Sequence, residues 1–161
     1  MILQKGDMFE AIVPAGTMYI ATGNNVIKEN GELVMGKGNA LEAKQRFPYV
    51  PREFADIIKL MPTKPNYFFI PHVSGFINDS GNCILRWVGL FQSKFHYRDK
   101  SDLNLISTSC TCLNNFSRFV RPDLLYILPF PGINNGGLQN EREKILEMLK
   151  TLPDNVEVWE L

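Results

Sequence analysis

A chain of 161 residues with 45% apolar side chains is long enough to bury a core without a metal or a disulfide, and it reads as one domain over 1–161. Its 17 basic and 17 acidic residues balance, which excludes a global field drawing it to nucleic acid or an anionic membrane while leaving room for a local basic patch. Cys83, Cys110 and Cys112 form no disulfide framework, and with two histidines they do not complete a zinc set, so reduced structural thiols and no metal are expected. No segment has the length of a membrane span and the N-terminus lacks a signal-peptide pattern, so a soluble cytoplasmic protein is expected.

In chain order, residues 1–5 read as a first strand turning at Gly6-Asp7, which exposes Asp7 at a strand tip. There Asp7 can accept hydrogen bonds from an exocyclic amine such as that of adenine, or serve its own turn. Residues 18–22 form a buried strand ending at Thr22, followed by Gly23-Asn24-Asn25. The connection from Gly23 to Gly38 is long enough to suggest function, and Asn30-Gly31 marks a turn within it. Asn24 and Asn25 suit ribose hydroxyls or a cap on their own loop.

Gly36-Lys37-Gly38-Asn39-Ala40 then opens a helix whose Ala40, Ala43 and Phe47 recur at helical spacing and which Pro48 ends. Glycines at 36 and 38 let a ligand approach the backbone, and the unpaired N–H groups of a helix start favour an anion. The same stretch also reads as a helix with a flexible entry loop. It is not a P-loop, because Lys37 is followed by Gly38 rather than Ser or Thr, and it is not the dinucleotide fingerprint, because Leu41 stands where the third glycine belongs.

A second helix runs from Pro51 to Pro62 with Phe54, Ile57, Ile58 and Met61 on one face. Residues 67–71 and 83–92 form an antiparallel pair, with Ser74-Gly75 and Ser80-Gly81-Asn82 in the connection. His72 reads as a structural histidine. If the second strand continues, Gln92, Lys94 and His96 share one side, and a Lys94 partly desolvated beside His96 or Arg98 can act as an amine nucleophile toward a sugar carbon. From composition alone the run of Lys94, His96, Arg98 and Lys100 with Phe95 and Tyr97 reads first as a solvated strand end, and it also permits phosphates with a base stacked on Tyr97.

Leu103, Ile106, Cys110 and Leu113 predict a third helix from near Ser101, and residues 124–129 a central strand. A second glycine-rich loop follows, Gly132-Ile133-Asn134-Asn135-Gly136-Gly137-Leu138, before a fourth helix with a capping box of Asn140 and Glu143 and an inner face of Ile145, Met148, Leu149 and Leu152. Residues 156–161 make a final strand. The order predicts an α/β domain with helices on both faces of a mixed sheet, and ligands in such sheets sit at the carboxyl ends of strands, where both glycine loops lie. Together they can enclose a diphosphate.

Gly6-Asp7-Met8-Phe9 after the first strand, Met35-Gly36-Lys37-Gly38-Asn39-Ala40 opening a helix, Ser93-Lys94 after the hairpin and the glycine loop before the fourth helix resemble the macrodomains over nearly the whole chain. The narrower similarity is to the branch with the terminal ADP-ribose protein glycohydrolase and the DNA ADP-ribosyl glycohydrolase antitoxin. This resemblance implies a three-layer α/β/α macrodomain-like fold with a six-stranded mixed sheet. It puts adenine on Asp7 and the backbone of Met8, and the diphosphate and distal ribose between residues 36–40 and 132–138, with Thr22 and Asn24 also in the ligand-binding set.

The same resemblance makes Lys94 the nucleophile that attacks the anomeric carbon, with no cofactor. The implied partner is ADP-ribose or an ADP-ribosylated DNA or protein, with no membrane and a monomeric protein. Gly136 departs from the protein-directed member, which has an aspartate there, so the aspartate-dependent reaction is not implied. Three activities follow from the resemblance: hydrolysis of an ADP-ribosyl linkage, non-catalytic reading or sequestering of ADP-ribose, and removal of the 1″-phosphate of ADP-ribose.

Overall fold

The computed structural model describes residues 1–62 and 66–161. Its strands are β1 (Ile2–Lys5), β2 (Thr17–Gly23), β3 (Phe69–Ile77), β4 (Cys83–Gln92), β5 (Leu125–Pro129) and β6 (Val156–Glu160). The helices are α1 (Gly38–Arg46), α2 (Val50–Leu60), α3 (Leu103–Asn115) and α4 (Arg142–Leu149). One six-stranded sheet has the order β1-β6-β5-β2-β4-β3, with every neighbouring pair parallel except β3 with β4. The fold is thus the mixed-sheet α/β/α architecture that the element order implies.

Period-two alternation divides each central strand between two cores. Ala21, Val88, Leu90 and Ile127 face α1 and α2, where they meet Ala43, Phe47, Phe54 and Ile58. Met18, Ile20, Phe91, Tyr126, Leu128, Val156 and Val158 face α3 and α4, where they meet Ile106, Cys110, Leu113, Ile145 and Leu149. Cys110 is packed in this second core, and burial pushes its thiol up to about 12, so it is an inert apolar filler at neutral pH. Among the described residues no helix is long and apolar enough to cross a membrane.

Three local expectations change. Ser74-Gly75 does not break the hairpin: β3 continues through it to Ile77, and the turn forms at Asn78, whose side chain accepts from Ser80 and Asn82 N–H groups. Pro71 is tolerated because β3 is an edge strand, and Ser74 Oγ donates to Glu53 at 2.6 Å. His72 lies 3.3 Å from that same carboxylate, an acidic neighbour supplied by α2 rather than by nearby sequence.

The capping box of Asn140 and Glu143 does not form. Residues 139–141 make a short 3₁₀ turn, and α4 starts at Arg142 with no side-chain cap. Its first residue is instead fixed by a two-pronged ion pair, Arg142 Nε and Nη2 to the Glu160 carboxylate at 2.9 and 2.7 Å, with the guanidinium 5.1 Å from the Phe130 ring centroid. α3 also runs on into a π-helical turn at Phe116–Val120, where the Phe116 ring packs against Phe69 and Tyr126.

The hydrogen-bonded Arg142 guanidinium, with Lys5 beside it, holds the Glu160 carboxyl down at about 2, against an ordinary value of 4.5. A depressed carboxyl stabilises the fold fully above about pH 4.5, and that contribution is lost as pH falls toward 2. Arg142→Ala is therefore expected to lower the melting temperature at pH 7. The gap between variant and wild type should narrow as thermal melts are repeated from pH 4.5 down to 2.

Candidate functional site

β2 and β5 are adjacent and parallel, so the loops that follow them leave the same edge of the sheet side by side. The chain after β2 goes to α1 on one face, and the chain after β5 goes to α4 on the other. Such a divergence opens a crevice at the carboxyl ends of the strands. A cavity of about 750 Å³ occupies it, walled by residues 22–24 at the end of β2, 93 and 94 after β4, 129 and 130 at the end of β5, and Trp159 of β6.

The first glycine loop supplies Gly36, Lys37, Gly38, Asn39 and Ala40 to the wall, and the second supplies Gly132, Ile133, Asn134, Asn135, Gly136 and Gly137. The loops touch: a Cβ on Gly38, whose φ is +57°, would lie 2.6 Å from Asn135 Nδ2. The first intrahelical bond of α1 runs from Leu41 N–H to Lys37 O at 3.2 Å, so the three N–H groups before it have no helical acceptor. No side chain caps this end. Asn39 is instead tied back to β2, its Oδ1 accepting from Thr22 N–H at 2.8 Å and its Nδ2 donating to Thr22 Oγ1 at 3.0 Å.

Lys94 is fixed from three directions. The Gly23 carbonyl accepts from the N–H groups of Ser93 and Lys94 at 3.0 and 3.2 Å, which splays the chain away as β4 ends. The buried Gln92 donates to the Lys94 carbonyl at 3.3 Å and accepts from the Tyr67 and Phe68 N–H groups. The Lys94 ammonium Nζ donates to the Asn135 carbonyl of the second glycine loop at 2.9 Å.

Partial burial and the charge of Lys37 lower the Lys94 pKa, and Asp99 opposes them. β4 ends at Gln92, so the strand does not continue through Lys94 and His96, and the cation acting on Lys94 is Lys37 of the same cavity wall rather than His96 or Arg98. His96 stacks on Tyr97 with ring centroids 4.3 Å apart, and the Arg98 guanidinium covers the Tyr97 ring at 5.6 Å.

Asn24 lines the cavity and also caps its loop, accepting from Val26 N–H and donating to the Val34 carbonyl. Three residues of the expected set lie outside the wall. Asp7 accepts from Phe9 N–H at 2.9 Å as a turn aspartate, Met8 is buried in the α1–α2 core, and Leu138 closes the second loop onto the Gly132 carbonyl. The segment before Asp7 does approach the wall, since a Cβ on Gly6 would lie 3.7 Å from the Trp159 ring.

Sequence reasoning missed Ser101, Phe130 and Trp159 as wall residues. Phe130 and Trp159 carry a weak signal, each being an aromatic at the carboxyl end of a strand. Ser101 carries none, being far from both loops in the chain.

No protein-family model matches the chain, and no curated protein sequence is similar to it. Solved structures are. The macrodomain of Thermus aquaticus DarG superposes with a TM-score of 0.68 at 23% identity, covering 99% of this chain and 95% of that one. The macrodomain of Mycobacterium tuberculosis DarG gives 0.67 at 24% identity, covering 99% and 97%. Thermosipho africanus DarTG, solved in complex with ADP-ribose, gives 0.68 at 23% identity over 99% of this chain and 42% of that one.

The tie between Asn39 and Thr22 joins the start of α1 to the sheet, and removing it leaves the Thr22 N–H at the cavity wall without its acceptor. Asn39→Ala is expected to destabilise the protein by about 1–3 kcal/mol in denaturant titration. Asn39→Asp, which keeps the acceptor for the Thr22 N–H, should lose less. Sheet order, helix placement and the agreement with these structures over almost the entire chain all describe one architecture: the chain has the macrodomain fold.

Proposed function

We propose that the cavity binds ADP-ribose and that the protein hydrolyses an ADP-ribosyl linkage with Lys94 as the nucleophile. The observation that carries this reading is the bond from Lys94 Nζ to the Asn135 carbonyl, which holds an amine of lowered pKa where the two glycine loops meet. The fold shared with a protein solved in complex with ADP-ribose supports the choice of ligand. The uncapped start of α1 and the glycine backbones accept the diphosphate, leaving the distal ribose toward Lys94.

The chemistry balances without a redox partner. The neutral Lys94 amine adds to the anomeric carbon, the bond to the leaving group breaks, and the amine proton passes to that group. Ring opening gives an imine, and water then adds to the same carbon, returning free ADP-ribose and the lysine. Gly136 offers no carboxylate, so proton movement relies on solvent and on the leaving group itself.

Among the described wall residues Lys37, Arg98 and Lys100 stand against one acidic side chain, Asp99, with the stacked His96 and Tyr97 rings following Lys94 in the chain. In a chain of zero net charge this cluster favours a modified nucleic acid over a modified protein. The missing carboxylate at 136 favours a second reading, a non-catalytic binder in which Lys94 contacts only ribose or phosphate.

Borohydride reduction during incubation with an ADP-ribosylated DNA oligonucleotide is expected to leave a covalent adduct on the wild type and none on Lys94→Ala, read by intact-protein mass. Binding without any adduct or turnover would select the non-catalytic reading.

The amine is active only when neutral, so the rate should rise with pH until it passes the lowered Lys94 pKa. Removing the Lys37 charge should raise that pKa. In a pH–rate profile, Lys37→Gln is therefore expected to move the rising limb to higher pH, and Asp99→Asn to move it lower.

A further inference from the structure

Ser101 lies between the end of β4 and the start of α3, is only 6% exposed, and forms part of the cavity wall. Its N–H donates to the Gly136 carbonyl at 2.8 Å, which fastens the approach to α3 onto the second glycine loop. The neighbouring Asp102 caps α3 by accepting from Leu105 N–H, so the backbone on both sides of Ser101 is held.

Its hydroxyl differs from those of four other buried residues. Thr17 donates to the Pro14 carbonyl, Ser74 to Glu53, Ser109 to the Gln92 carbonyl and Ser117 to the Asn114 carbonyl. Ser101 Oγ is buried with no hydrogen-bond partner among the described residues. A buried hydroxyl that finds no partner has lost its hydration without recompense, and native structures rarely leave one so.

Gly136 is what leaves room for this hydroxyl against the second glycine loop. A Cβ at Gly136 would lie 2.6 Å from Ser101 Oγ, so any side chain at 136 would either displace the hydroxyl or seal it from the cavity. The residue before Gly136 is Asn135, whose carbonyl receives Lys94 Nζ. The unpaired oxygen therefore packs on the peptide that follows the anchor of the proposed nucleophile.

We propose that Ser101 is a ligand-binding residue of this cavity, its hydroxyl pairing with a hydroxyl of the distal ribose beside Lys94. The assignment rests on the reading of the cavity as an ADP-ribose site. A serine side chain turns about one bond between staggered positions, so Oγ can leave its packing on Gly136 without backbone movement. A hydroxyl that both donates and accepts suits a ribose hydroxyl. The charged phosphates have better partners in the N–H groups at the start of α1 and in Lys37. Ser101 thus reads the sugar that distinguishes ADP-ribose from ADP.

Calorimetric titration of wild type and Ser101→Ala with ADP-ribose and with ADP, together with thermal melts of the unliganded proteins, tests this. The expected result is an ADP-ribose Kd about 5- to 10-fold weaker in the variant, an ADP Kd unchanged within about twofold, and an unliganded melting temperature no lower than that of the wild type. Unchanged ADP-ribose affinity, equal weakening of both ligands, or a lower unliganded melting temperature would each overturn the role of Ser101. Wild type that binds ADP-ribose no more tightly than ADP would overturn the ADP-ribose reading and this proposal together. A wild type that discriminates, with a variant that discriminates equally, would remove the Ser101 proposal alone.

Discussion

The parallel pairing of β2 with β5 is the constraint on which the site depends. Because the two strands run side by side in the same direction, their following loops emerge at one edge; because α1 and α4 cover opposite faces, those loops must diverge. A hollow at that edge is a geometric consequence of the topology. The glycines then determine how near a ligand comes to the backbone, as the close approach of Gly38 to Asn135 shows.

Within that frame, backbone bonds rather than side-chain packing aim the lysine. One carbonyl, that of Gly23, takes two successive N–H groups and turns the chain out of β4, while Gln92 satisfies the peptides opposite. Gly23 itself sits tightly, since a Cβ there would lie 2.7 Å from Leu90. The ammonium group then reaches a carbonyl of the second loop. The Lys94 end of the cavity is thus built jointly by segments following β2, β4 and β5, and rigid placement of this kind is what the proposed covalent catalysis by an amine requires.

Much of the architecture was legible locally. The spacing of Ile106, Cys110 and Leu113 gave the buried face of α3, and the nearly all-apolar run at 124–129 gave a strand covered on both sides. Where local reading failed, a distant partner had intervened. Asn140 and Glu143 have the spacing of a capping box, yet Glu160, at the far end of β6, takes Arg142 and moves the helix start. Ser74-Gly75 looks like a turn, but pairing with Leu85 and Arg86 keeps it in the strand. The alternation that put Lys94 in line with His96 ended because the Gly23 carbonyl captures the chain first.

The amino-acid order by itself determined the succession of strands and helices, the two glycine loops at strand ends and the candidacy of Lys94, because each is written in periodicity or turn chemistry over a few neighbouring residues. Only the tertiary structure decided that the loops meet, that Lys37 rather than His96 acts electrostatically on Lys94, and that Ser101 and Trp159 join the wall. Those outcomes follow from strand order and from hydrogen bonds between segments tens of residues apart, which no local pattern encodes.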